Sequence, residues 1–576
     1  MKRQDRPDHE LPSFARYLNK VFDFRAIAAT LTDSRGAPEI SPSAVFLAVF
    51  HGFAFRLPSF QQLEAELTQP ALQQWIGAGR AFSDDVLRYS LSGFHLEGME
   101  QMLVHVNRTL KRNKAIDEGR VQGRIVAALD GIEVLSSYSR CCDSCLQRRV
   151  SVRKDGVKTE QVQYYHRAVG CQIVSSPSKP FLAIEWLQPG EGEDTAALRL
   201  LHRLPDLYGS RFFDILLLDA LYAQAPVLKL ADRIGWDLVI SLKQNQRELY
   251  QSAVRLFASR PADSSGTERH DGRQYQFQLW DSEGFPFTAD HPQPVRVVRS
   301  EEKLTQNHYR RGKLQSETTE HEWLWITTLD SQTFPATLVR RLGHDRWKLE
   351  NNGWNDLTQN WAFKHGFLHA CRHRPQTAPQ QGERASAVAE GVKGEGHVQT
   401  SSEQGEPTPA KVEGVEDEGR PPTTSDQCER TPVANRGLAA VSFILLLAFT
   451  LCSAFIHCHS KLFRRYAMSA IEVARQLRLS VSKLPSNIRA PDAPAAPPLG
   501  LIRDFLPDLV SDRDNLPLLP ASVGARRPRP SRAFSRICSR KSALRICPTT
   551  LGLRFTNDSA TSPTQPPVRA KLLARC

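Results

Sequence analysis

The first twelve residues, Met1 to Pro12, hold no apolar core. They therefore read as neither a secretory signal nor an amphipathic transit peptide, and a cytoplasmic protein is expected. Cysteine is sparse, with eleven residues scattered over a chain of 576. In that compartment they are expected mostly as reduced thiols, which excludes a disulfide framework. Large apolar side chains are nearly missing from residues 372–436, which are rich in Gly, Pro, Glu, Gln and Ser. Such a stretch cannot bury enough surface to fold and reads as a disordered linker. Residues 485–576, rich in Pro, Arg and Ser, lack any sustained period and read as a disordered basic tail. Net positive charge is small elsewhere: that tail holds 15 Lys/Arg against 6 Asp/Glu, so only about four of the formal net charge of +13 belong to the first 484 residues. Global charge thus gives weak support for an acidic partner such as nucleic acid, and the case must come from a site.

What is present is enough for two or three domains: 40% hydrophobic and 24% charged residues, close to the globular average. Residues 13–115 carry apolar residues at helical spacing in Phe14–Phe24, Ser41–Phe55 and Asp84–Leu91, with Pro42 just inside one start and Ser83 placed to cap another. We read residues 1–119 as an N-terminal helical region, expected to bind DNA. The run Arg108, Lys111, Arg112, Lys114 that ends it reads equally well as a solvated face. From Arg124 short apolar runs alternate with turns and amphipathic helices, the pattern of an α/β fold with a mixed or parallel sheet. Strands are predicted near Ile125–Asp130, Ala168–Ser175, Phe181–Leu187, Phe212–Asp219 and Asp237–Leu242, and helices near Asp194–Leu204 and Pro226–Ile234. Residues 250–330 alternate polar and apolar, as an antiparallel β insertion would. A long helix is predicted at about His344–His369, with Trp347, Trp354 and Trp361 at seven-residue spacing, and residues 437–484 supply closing helices.

The chemistry concentrates in three carboxylates. Asp130 ends the run Ile125-Val126-Ala127-Ala128-Leu129, and Asp219 ends Ile215-Leu216-Leu217-Leu218. Each is expected at the carboxyl edge of a buried strand, where α/β proteins place ligand sites. Either aspartate alone could simply begin a turn. As a pair on neighbouring strands they repel unless a cation lies between them. Glu350 is placed three residues after Trp347 and four before Trp354, on the face those rings are expected to bury. A buried carboxylate needs a partner, which is either Arg346 one turn earlier or metal held by the aspartates. With no histidine or thiolate at these points, the donors suit Mg²⁺ or Mn²⁺ rather than zinc. Two such ions suit in-line phosphoryl transfer.

The segments Ala128-Leu129-Asp130-Gly131, Leu217-Leu218-Asp219-Ala220-Leu221-Tyr222 and Arg346-Trp347-Lys348-Leu349-Glu350-Asn351-Asn352 resemble the three catalytic blocks of DDE transposases from bacterial insertion sequences. The resemblance implies an RNase H-like core over residues 120–371, with the first Asp on the first strand, the second on the fourth and the Glu on a helix after the fifth. It also implies a β insertion between the second Asp and the Glu, at about 250–330. Asp130, Asp219 and Glu350 would be catalytic residues holding two divalent ions. Arg346 and Lys243 would contact DNA phosphate, and Trp280, Trp323 or Trp325 could stack on an unpaired base. The implied partners are double-stranded DNA with terminal inverted repeats, a target DNA and a second copy of the chain. The related Tyr-x2-Arg-x3-Glu-x6-Lys signature is met at Arg346 and Glu350, but Gly343 and Leu357 stand at its Tyr and Lys positions.

Two further features need a place. Cys142-x2-Cys145, with His166 further on, has half of a zinc-knuckle spacing; reduced or buried thiols are the default reading and a structural zinc the alternative. Residues 439–458 carry no Asp, Glu, Lys or Arg, so a single-pass membrane protein is a rival reading. A core helix covering the sheet is preferred. A metal-dependent nuclease, or a catalytically inactive DNA-binding remnant of a transposase, is the other rival.

Overall fold

The computed structural model describes residues 10–154, 157–270, 273–310, 313–369, 436–459 and 469–481. The expected linker, apart from Arg436, and the expected tail lie outside the described residues. The fold is mixed α/β, built on one large sheet.

Helices α1 (Glu10–Phe22), α2 (Phe24–Ala28), α3 (Pro42–Ala54), α4 (Phe60–Glu66), α5 (Pro70–Ile76), α6 (Asp84–Ser92) and α7 (Leu96–Arg112) precede the sheet. Their starts are written locally. The Ser41 hydroxyl accepts from the Ala44 N–H at 3.2 Å with Pro42 in the first turn, and Ser83 caps α6 through the Val86 N–H. Two residues of the basic run at the end of α7 hold other parts of the chain. Arg108 donates to the Leu207 carbonyl at 2.6 Å and Lys111 to that of Phe212 at 2.8 Å, so they tie α7 to the last turn of the next helix and to the chain that follows it.

The strands are β1 (Val126–Ser137), β2 (Leu146–Lys154), β3 (Val157–Ile173), β4 (Phe181–Trp186), β5 (Ile215–Leu218), β6 (Asp237–Ser241), β7 (Ser264–His270), β8 (Arg273–Phe285), β9 (Val295–Arg310) and β10 (Lys313–Thr327). Their order is β2-β3-β1-β5-β6-β10-β9-β8-β7, with β4 also paired to β3. Among the described strand pairs, only β1/β5 and β5/β6 are parallel. Those three strands are the apolar runs of the sequence. Ile215–Leu218 is wholly buried, as a strand covered on both faces must be. Helices α8 (Glu193–Tyr208) and α9 (Ala225–Ile234) make the crossovers, and α10 (Arg247–Ala258) leads into β7. The insertion is antiparallel as expected and extends the core sheet, because β10 pairs with β6.

Helix Arg436–Ala454 packs against α3, α6, α7 and β4. Its apolar stretch is long enough to cross a bilayer, but 89% of it is buried inside the protein. Thr450 accepts a hydrogen bond from the Phe181 N–H of β4 at 3.3 Å, and Ser442 donates to the Leu438 carbonyl at 2.8 Å. This helix covers the sheet and leaves no continuous face for lipid.

Candidate active site

Strand β1 does not end at Asp130, as its apolar run suggested. It runs on to Ser137, paired with β3, because Gly131 to Val134 alternate between half-buried and buried and the pairing resumes at Ser136 and Ser137 after a bulge at Leu135. What ends near Asp130 is the parallel pairing with β5, at Ala128 opposite Leu217. Extending that register by two residues sets Asp130 beside Asp219, whose extended backbone continues β5, across an interstrand spacing of about 4.8 Å. The equal offset puts both side chains on the same face.

The third carboxylate arrives on α11 (Ala336–Asp345) and the turns that follow. The helix expected at 344–369 starts earlier and is broken: Trp347–Leu349 is one turn, Glu350–Trp354 is π-helical, Asn355–Asn360 resumes the α-helix, and Ala362 adopts a left-handed conformation. The π turn lies where the chain presses on the sheet, since a Cβ at Gly353 would stand 2.9 Å from the Gln172 amide oxygen. Such turns gather at functional positions. The break also separates the tryptophans. Trp354 and Trp361 are buried, but Trp347 is 38% exposed and does not share their burial.

Around Asp130 the charges are crowded. Burial pushes its carboxyl up to about 6, and the nearby Glu193 and Glu350 carboxylates add to the rise. Arg346, whose Nη1 lies 3.7 Å from Asp130 Oδ2, and the Gly131 N–H at 3.0 Å oppose it. Arg346 is 7% exposed and its guanidinium stacks on Trp347. Lys243 is open to solvent, with Nζ 3.3 Å from Asp219 Oδ1.

Glu193 belongs to the same surroundings. Its place in the first turn of α8 looks from sequence like an ordinary acidic helix start. In the fold its carboxylate lies over Gly131, where a Cβ would come within 2.4 Å of it, accepts from the buried Tyr222 hydroxyl at 2.7 Å, and pairs with Arg167. No pattern within the sequence links these residues. Gly343 also finds its reason: a Cβ there would stand 2.2 Å from the Trp325 indole nitrogen, so the indole fills the space of the signature tyrosine. Leu357, at the signature lysine position, is core. Trp280 and Trp325 are buried as well and are not available to stack on a base. Cys142, Cys145 and His166 do come together, joined by His369.

The donors at the acidic cluster are all carboxylate oxygens, and the Asp130 carboxyl is raised first by its burial and less by the nearby Glu193 and Glu350 charges. A hard divalent ion fits such a set. Residues 130–354 match the family model described as "Transposase DDE domain", an interval that opens on Asp130 and closes four residues after Glu350. These residues form a transposase DDE domain. DDE transposases in general use divalent metal ions. Among solved structures the chain is similar to that titled "Cryo-EM structure of piggyBac transposase synaptic complex with hairpin DNA (SNHP)", at 9% identity, 88% coverage of this chain, 85% of that one and a TM-score of 0.31. No curated protein matches the sequence.

Proposed function

We propose that this chain is a transposase of the insertion-sequence type, cutting DNA at the ends of its element and joining the freed ends to a target. The observation that carries the reading is the parallel register of β1 and β5, which ends with Ala128 opposite Leu217 and, extended by two residues, brings Asp130 beside Asp219, with Glu350 close enough for its charge to act on Asp130. With β2 set aside as an added hairpin, the order β4-β3-β1-β5-β6 supports the reading, with Asp130 on the first strand, Asp219 directly after the fourth and Glu350 after the fifth. That is the RNase H-like placement the sequence blocks imply.

Asp130, Asp219 and Glu350 would hold two Mg²⁺ or Mn²⁺ ions, which when bound activate the attacking oxygen and stabilise the leaving 3′-oxygen. Arg346 balances the Asp130 charge and meets the scissile phosphate at the cluster. Lys243 supplies a second cation at the rim, where an incoming strand first arrives. Glu193 keeps Tyr222 and Arg167 fixed behind Asp130 and so sets the position of that strand. Transfer needs two element ends together, so a homodimer on double-stranded DNA with terminal inverted repeats is the working state.

The test is incubation of the full-length protein with a fragment carrying the element's ends, with and without Mg²⁺. Nicking that depends on Mg²⁺, disappears in Asp130→Ala and Glu350→Ala while DNA binding persists, and yields products joined to a second DNA supports the reading. Cleavage without joining indicates a nuclease. DNA binding without any cleavage by the unaltered chain indicates a remnant.

A further inference from the structure

A second cluster lies apart from the carboxylates, where three remote stretches of chain meet. Cys142 and Cys145 occupy the connection between β1 and β2, His166 stands on β3 opposite Val134, and His369 follows the turn Phe363–His365. Cys142 Sγ and Cys145 Sγ are 3.6 Å apart, and each is 3.4 Å from His166 Nε2. Cys145 Sγ is 3.2 Å from His369 Nε2, and all four ligand atoms lie within 4.8 Å of one another. The sulfurs are too far apart for a disulfide, whose bond is about 2.05 Å.

These are the edges of a small tetrahedron. Zn–S bonds of ~2.3 Å and Zn–N bonds of ~2.0–2.1 Å at tetrahedral angles give ligand–ligand edges of roughly 3.3–3.8 Å. Hydrogen bonding alone explains the arrangement poorly, since thiols are weak donors and two of them face the same imidazole nitrogen. Cys145 and His166 are buried, and Cys142 and His369 are half-buried, so the centre of the cluster is largely closed to solvent. Four protein ligands and no open position describe a structural metal site, and two thiolates with two imidazoles select zinc over magnesium or calcium.

We infer that Cys142, Cys145, His166 and His369 form a structural Cys₂His₂ zinc site. The half-motif visible in the sequence is completed by a histidine 224 residues beyond Cys145. The ion would join the far end of β1, the strand of Asp130, to the segment that follows the Glu350 turns. Zinc thus staples the two carriers of the acidic cluster to each other. The inference does not depend on the transposase reading.

The test is metal analysis of the full-length protein purified without chelator. About one zinc per chain is expected. Asp130→Ala should keep that zinc, whereas His369→Ala and the Cys142→Ser/Cys145→Ser pair should lose it. Stripping zinc from the unaltered chain and adding Co²⁺ should give the visible bands of tetrahedral cobalt with thiolate-to-cobalt charge transfer. This second measurement holds even if the variants fail to fold. A folded, zinc-free chain that gives no such cobalt spectrum, or a Cys142–Cys145 disulfide in the freshly purified protein, overturns the inference.

Discussion

Glu302 of β9 is buried and accepts four hydrogen bonds: from Arg340 Nε at 2.9 Å and Nη2 at 3.0 Å, from His344 at 2.8 Å and from Ser300 at 2.9 Å. Arg340 and His344 lie one turn apart on α11, whose end feeds directly into Arg346 and Glu350. The clamp therefore fixes the helix that delivers the third carboxylate. Glu302→Ala leaves a buried guanidinium whose remaining carboxylate partner among the described residues is the half-exposed Glu268, at 2.9 Å. Removing one member of a buried pair costs about 3–5 kcal/mol, mainly through the stranded charge. Replacing both members, as in Glu302→Leu/Arg340→Met, removes that charge and should recover most of the loss. Urea unfolding followed by tryptophan emission reads both variants, since Trp323 and Trp325 pack on His344. At temperatures where Glu302→Ala stays folded, Mg²⁺-dependent nicking should fall by up to ~100-fold, the usual cost of a misplaced catalytic group. A loss under about 1 kcal/mol in the single variant, or a double variant as unstable as the sum of the two singles, would refute the clamp.

The same carboxylate sets an acid limit. Burial raises its pKa, but the hydrogen bonds and charges of His344 and Arg340 outweigh burial and hold it at about 2, below its ordinary 4.5. A depressed carboxyl contributes stability that is present above pH ~4.5 and lost as pH falls toward ~2. Unfolding midpoints should fall steeply in that window and flatten in the Glu302→Ala/Arg340→Ala pair; equal acid slopes contradict the assignment. Gly170→Ala would set a Cβ 2.5 Å from the Trp354 ring, and overpacking of that kind costs about 1–3 kcal/mol. An unchanged melting temperature counts against the contact, and Trp354→Leu in the same chain should relieve it. Glu193→Ala should strand the buried Tyr222 hydroxyl and cost about 1–3 kcal/mol in urea unfolding. No shift in midpoint would remove Glu193 from the support of Asp130.

The centre of the sheet was legible in the sequence because doubly covered strands must be apolar throughout, as Val126–Leu129 and Ile215–Leu218 are. Helix starts at Ser41-Pro42 and Ser83 were legible because capping is local chemistry. Strand β2 was not, since Leu146–Lys154 is largely polar and charged and is held by pairing with β3 rather than by a buried face. The breaks after α11 also escaped: the pressure of Gly353 on β3 and the left-handed Ala362 are tertiary facts that interrupt a strong helical period. Both aspartates and Glu350 could be named because each ends or punctuates an apolar pattern. Glu193 and His369 could not, because their partners are remote in the chain and neither type of residue is unusual where it stands.

Mn²⁺ binding, followed by calorimetry on full-length protein, tests the central proposition that Asp130, Asp219 and Glu350 share one metal pocket. Asp130→Asn, Asp219→Asn and Glu350→Gln are each expected to fold, as judged by circular dichroism, and each to weaken Mn²⁺ binding at least ~10-fold relative to the unaltered chain, a loss of about 1.4 kcal/mol. Mn²⁺ affinity unchanged in all three folded variants would contradict the account.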